Sequence, residues 1–177
     1  TQFARALGAA RGHGDLGAAR ADLGRLNTAF DTLTAAKQAY DAEQVDIQRK
    51  SVEAWILYAE GKTAEALALM QTAAGMQDKT EKSAVSPGPI APARELYAEM
   101  LLDAKKLPEA LAAFEASAAQ EPRRFRGVYG AARTARLLND PRAAKYYAEL
   151  VTITAKADTP ARAEIAEARA YKPAAGR

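Results

Sequence analysis

The sequence predicts an all-α protein: antiparallel helical hairpins stacked as a short solenoid and closed by a carboxyl-terminal capping helix. Three observations carry this expectation. A hairpin pattern of small and large residues recurs at a 34-residue spacing across 91–156. Hydrophobic residues make up 49% of the chain but aromatics only 7%, because much of the apolar content is alanine, which favours helix and lets helices approach closely. No stretch shows the sustained period-2 alternation of β-branched residues that marks a half-buried strand.

The first hairpin turns at His13-Gly14-Asp15, with Phe3 and Leu7 before it and Ala19, Leu23 and Leu26 after it. The second turns at Gly61-Lys62-Thr63 and starts its register at Ile47, with Ala54, Tyr58, Ala66, Met70 and Ala73 at positions 7, 11, 20, 24 and 27. Trp55 falls at position 8, where a small residue is usual, so this unit is divergent. Residues 27–44 absorb excess spacing as longer helices. Next comes a Pro/Gly linker, 77–91, containing Ser86-Pro87-Gly88-Pro89. Proline lacks a backbone donor and fixes φ, so this stretch cannot be helical throughout. It reads as a spacer, the alternative being a strap across the groove.

The third hairpin follows the pattern closely. With Ala91 at position 1, Tyr97, Ala98, Leu101, Ala110, Phe114, Ser117 and Pro122 take positions 7, 8, 11, 20, 24, 27 and 32. The fourth starts 34 residues later at Phe125, places Ala131, Ala132, Ala144 and Ala148 at 7, 8, 20 and 24, and turns at Asn139-Asp140-Pro141. Small side chains at 8 and 20 let paired helices approach, and large ones fill the space between units. The register resembles that of the tetratricopeptide repeat (TPR), which implies a right-handed solenoid with a concave binding groove. The expected organisation is two divergent hairpins over 1–76, the linker over 77–91, two TPR units over 92–156, and a capping helix and tail over 157–177. The capping helix is expected over 159–171, with Thr159 at the N-cap, Pro160 at N1, and Ile165 and Ala168 on one face.

Composition excludes several chemistries. There is no cysteine, hence no disulfide or thiolate site, and one histidine, hence no histidine cluster. His13 reads as a turn residue. No Gly-rich phosphate loop follows a strand, and no apolar run approaches the length of a membrane span, about 18 residues. The carboxylate pairs Glu95/Glu99 and Glu164/Glu167 read as solvated helix faces rather than acid–base dyads. No catalytic residue, metal site or cofactor is expected.

Charge carries a local signal. Residues 123–177 hold 12 Lys/Arg against 5 Asp/Glu, a net of +7, within a chain whose net charge is +3. Arg126, Tyr129, Arg133 and Arg136 are spaced 3, 4 and 3 apart and so share one helical face. They take positions 2, 5, 9 and 12, which line the groove in TPR units. Glu95 and Glu99 take positions 5 and 9 of the preceding unit, followed by Asp103 at 13. Two readings stand side by side: the basic stripe faces a carboxylate-bearing or acidic peptide ligand, or its arginines pair with these acids. Charge of this size does not favour nucleic acid.

Several segments resemble the late part of a long bacterial family of TPR proteins of unassigned biochemical role: FARALGAAR at 3–11, GDL at 14–16, AARAD at 18–22, EQVDIQRKSVEA at 43–54, DKTEK at 78–82, SPGP at 86–89, PAREL at 92–96 and RFRGVYGAAR at 124–133. The resemblance covers nearly the whole chain. It implies a periplasmic or otherwise extracytoplasmic setting and further helices upstream, and it supplies no catalytic residues. Where such proteins have His-Pro, this chain has Ser83-Ala84. The chain starts at Thr1 with no signal peptide, which reads as a fragment or processed product. The expected function is a non-enzymatic scaffold that binds a protein or peptide partner in its groove, with Arg126, Tyr129, Arg133, Arg136, Glu95 and Glu99 as candidate contacts. The alternative is a self-assembly module that stacks end to end or as dimers.

Overall fold

The computed structural model describes residues 2–12, 15–80, 88–158 and 162–173. Among these residues it is all-helical, with no strand. The helices are α1 (Gln2–Arg11), α2 (Leu16–Ala35), α3 (Ala39–Ala59), α4 (Thr63–Lys79), α5 (Ala93–Asp103), α6 (Leu107–Gln120), α7 (Phe125–Leu137), α8 (Arg142–Ile153) and α9 (Ala163–Ala170). No described helix is long and apolar enough to cross a membrane. The chain divides into two compact units, Thr1–Met100 and Leu101–Arg177, with the division falling within α5.

One turn chemistry builds four of the hairpins. Lys37, Gly61, Lys105 and Asn139 each have positive φ, at 57°, 81°, 62° and 55°. At each, the residue's own N–H bonds three residues back and the next N–H bonds five residues back, as in Lys105→Leu102 and Lys106→Leu101. This is the Schellman closure, which satisfies carbonyls left open at a helix end. Lys105 and Asn139 are 34 residues apart, so the period read in the sequence reappears as backbone geometry.

In the first unit, α1, α2, α3 and α4 pack in sequence, and α1 also meets α3. The spacing excess before the second hairpin is taken up by the long helices α2 and α3. Asp15 caps α2 by accepting the Ala18 N–H at 3.1 Å, while His13 and Gly14 lie outside the described residues. Ala54, Ala66, Met70 and Ala73 are fully buried, and Trp55 is buried despite occupying a position meant for a small side chain. The Arg11 guanidinium covers the Trp55 ring at 4.5 Å, and its Nη1 lies 2.7 Å from Glu99 Oε2. Asp22, also buried, accepts from Arg5 of α1 and Arg25 of α2 at 2.5–2.9 Å. The Arg5 hydrogen bond leads in holding its carboxyl below the ordinary range. Helix α4 runs to Lys79, beyond the expected start of the linker. Gln77 and Asp78 then receive Ala93 N–H and Arg94 Nε, both at 2.6 Å. Residues 81–87, which include Ser86 and Pro87 of the linker, lie outside the described residues.

In the second unit, α6 packs on α7, α7 on α8, and α8 on α9. Small residues set the α6–α7 approach. Gly130 touches the ring of the fully buried Phe114, and a Cβ at Gly130 would lie 2.3 Å from both Cε1 and Cζ. Ala131 and Ala132 are buried as expected.

The second helix of the fourth hairpin departs from the expected register. Ala148 is exposed and Ala144 half-buried, while Ala143, Tyr147 and Leu150 face the core. The first turn of α8 explains the one-residue slip. Ala143 and Ala144 bond three residues back, to Asp140 and Pro141, whereas Ala110 at the start of α6 bonds four back to Lys106. A tighter turn of about three residues rotates the following face. The capping helix also starts later than expected. Arg162 holds its N-cap position, while Thr159 and Pro160 lie outside the described residues. Its buried face is Ile165 and Ala168, as the spacing predicts.

Candidate functional site

The basic stripe on α7 lies in the second unit, and its centre is occupied by the chain's own carboxylate. Helical spacing puts Tyr129 and Arg136 on one face of α7. The slipped register of α8 turns Tyr147 inward, where it is 1% exposed. Helix α9 supplies Glu167. Tyr129 donates its hydroxyl to Glu167 Oε2 at 2.8 Å, and Tyr147 donates to Oε1 at 2.5 Å. Arg136 Nε stands 3.2 Å from the Tyr147 hydroxyl oxygen and 3.5 Å from Glu167 Oε1. Both carboxylate oxygens are thus met by donors, with one guanidinium balancing the charge.

Electrostatics follow from this arrangement. Burial first, then the hydrogen bond to Glu167, pushes the Tyr129 and Tyr147 phenols up to about 12. Burial alone would raise Glu167. The Tyr147 and Tyr129 hydroxyls, with the charges of Arg136 and Arg133, outweigh it and hold the carboxyl below its ordinary value. These are the shifts of a hydrogen-bonded carboxylate, not of a poised acid–base pair.

Aromatic contacts extend the cluster. The Tyr147 ring stacks on Tyr171 at 4.3 Å between centroids. Tyr129 stacks on Phe125 at 6.5 Å, and Arg162 lies over Phe125 at 5.0 Å. An open cleft of about 690 Å³ borders the cluster, lined by Arg136, Asp140, Glu167, Tyr171 and Lys172 among others. A second network ties α6 to α8 outside the core: Glu115 accepts from Arg142 Nη1 at 2.6 Å and from the Tyr146 hydroxyl.

The six sequence-derived candidates divide between the units. Tyr129 and Arg136 join the Glu167 cluster. Arg133 is exposed on the same face and acts on Tyr129 and Glu167 through its charge. Arg126 is exposed. Glu95 and Glu99 belong to the first unit, and the solvated-face expectation fails for them: Glu95 is 1% exposed, and the Glu99 carboxylate lies against Arg11. It fails for Glu167 as well, whose carboxylate is held by two hydroxyls.

Sequence reasoning missed Tyr147, Glu167, Gly130 and the Arg11–Trp55–Glu99 contact. One signal for Tyr147 was available: Ala143, Tyr147 and Leu150 are spaced 4 and 3 apart, the repeat of a buried helix stripe. Among the described residues, no group of three or more His, Asp or Glu side chains is placed to hold a metal ion. Comparison of the chain with protein-family models, with curated proteins and with solved structures finds no match.

Proposed function

We propose that this chain is a non-enzymatic, TPR-like helical-repeat module that binds an acidic segment of a protein or peptide along the α7 face of its second unit. The observation that carries this reading is the shared face of Arg126, Tyr129, Arg133 and Arg136, already engaging one carboxylate through Tyr129 and Arg136. Arginine on a rigid helix suits carboxylate recognition, because its guanidinium is always charged and its donors are fixed in a plane. An aromatic among the arginines adds apolar contact at low entropic cost. The TPR-like solenoid, the extracytoplasmic setting and membership of the long bacterial family belong to the same proposal, supported by the 34-residue register and by the segments that resemble that family.

The test is charge reversal on the exposed part of the stripe. Arg126→Glu combined with Arg133→Glu should weaken binding of a fluorescein-labelled hexaglutamate peptide at least tenfold by fluorescence anisotropy. Helix content by far-UV circular dichroism should stay unchanged. Normal binding by this double variant would sink the proposal.

A further inference from the structure

We infer that Tyr129, Tyr147 and Arg136 form a receptor for a partner's carboxylate side chain, and that Glu167 of α9 is the built-in occupant a partner must displace. The inference rests on the proposed function and deepens it: the ligand is an acidic peptide, and α9 regulates its access.

Three features of the cluster lead here. The donors stand on α7 and α8, a hairpin closed by the Asn139 turn, and Tyr147 is 1% exposed. The hairpin that carries the donors is closed by its own turn, while Tyr147 also stacks on Tyr171, the residue that ends α9. The occupant, by contrast, sits on an eight-residue helix whose buried side chains are Ile165 and Ala168. Finally, the cluster is reachable from solvent. The side chains of Arg136 and Glu167 are 47% and 35% exposed, and both line the 690 Å³ cleft with Lys172. The cleft offers an incoming carboxylate the cationic side chains of Arg136 and Lys172, beside Asp140 and Glu167.

Competition is set by exchange of like for like. An incoming Glu or Asp offers the same two oxygens as Glu167, so the three donors lose nothing on exchange, and extra contacts along the stripe tip the balance. Exposed Arg126 and Arg133 on the same face of α7 supply those contacts for a run of acidic residues. A ligand that binds the open state better than the closed one shifts the population by its differential affinity. Removing the internal competitor therefore raises the apparent affinity.

The experiment measures hexaglutamate binding to the full chain by anisotropy. Glu167→Ala should tighten binding at least tenfold relative to wild type. Glu164→Ala makes the same charge change on the same helix and should leave affinity within twofold. Adding Tyr129→Phe and Arg136→Gln to Glu167→Ala should abolish the gain. If Glu167→Ala loses its near-UV circular dichroism, Glu167→Gln keeps the side-chain shape without the charge and should still tighten binding severalfold. No gain from vacating Glu167, with the Arg126/Arg133 reversal still weakening binding, would overturn the occupancy inference and leave the proposed function standing. A gain that survives loss of Tyr129 and Arg136, or an equal gain from Glu164→Ala, would also overturn it. Failure of every variant and of the wild type to bind the peptide would overturn both.

Discussion

Gly130→Ala is the sharpest test of how the stripe is held in place, because it adds one methyl group at a defined contact. The new Cβ would lie 2.3 Å from Phe114 Cε1 and Cζ and 2.9 Å from Cδ1. Carbon atoms pack best at about 3.5–4.0 Å, so the overlap exceeds an ångström at two ring atoms. Phe114 has no exposed surface and cannot swing into solvent. Either α6 and α7 separate or the ring leaves its rotamer. Overpacking of this kind costs about 1–3 kcal/mol, and alanine returns about 1 kcal/mol of helix propensity. With two ring atoms in conflict the upper end applies, leaving a net loss of about 2 kcal/mol. For a unit of this size that is roughly 10 °C in melting temperature. Urea and thermal unfolding followed at 222 nm measure it. Gly24→Ala is the matched control: a Cβ there meets nothing within 4 Å, so only propensity acts, and the variant should gain about 0.5–1 kcal/mol. Phe114→Leu should recover part of the loss in the Gly130→Ala background, a coupling a double-mutant cycle reads directly. A Gly130→Ala chain that melts at or above wild type would refute the packing argument and, with it, the account of what positions α7.

Other outcomes can be checked alongside. Lys105→Gly should stabilise the chain by about 1 kcal/mol in urea unfolding, since a side chain at φ 62° carries a left-handed penalty that glycine lacks. Arg11→Met keeps a stem over Trp55 but removes the guanidinium facing Glu99; because that pair is partly solvated, the expected loss is about 1–2 kcal/mol, below the range for fully buried pairs. Spectrophotometric titration at 295 nm should show Tyr129, Tyr146 and Tyr147 ionising near pH 12. Glu167→Gln should lower Tyr129 and Tyr147 and leave Tyr146, whose partner is Glu115, unmoved. The sign for stability follows. Between about pH 10 and 12 the folded chain keeps phenolic protons that the unfolded chain has lost, so stability falls as pH rises through that window. Glu167 acts at the other end: its contribution is full above its unfolded value and is lost as pH falls through the lowered folded one. Self-association is read by concentration-dependent light scattering, where a strictly monomeric chain over the micromolar range would count against the assembly alternative.

Much of the fold is legible in the chain itself. Helix hairpins, the Gly61 and Asn139 turns, the buried faces of α4, α6 and α9, and the lengthening of α2 and α3 follow from residue spacing, because side-chain periodicity and turn chemistry are local properties. The shared face of Arg126, Tyr129, Arg133 and Arg136 belongs to the same class, since any α-helix over those residues puts them together. Tertiary structure alone decided what that face meets. A tight first turn in α8 rotated Tyr147 into the core in place of Ala148, and α9, starting at Ala163, brought Glu167 within reach of two hydroxyls and a guanidinium. The spacing of Ala143, Tyr147 and Leu150 hints at the first, but nothing in periodicity announces the second. A one-residue slip leaves the hydrophobic pattern almost unchanged, and contacts 20 and 38 residues apart depend on how helices dock rather than on how they form. The sequence by itself determined that a basic, aromatic helix face exists. Its engagement by an internal carboxylate was settled by packing, where the identity of a side chain's neighbour is a property of the whole unit.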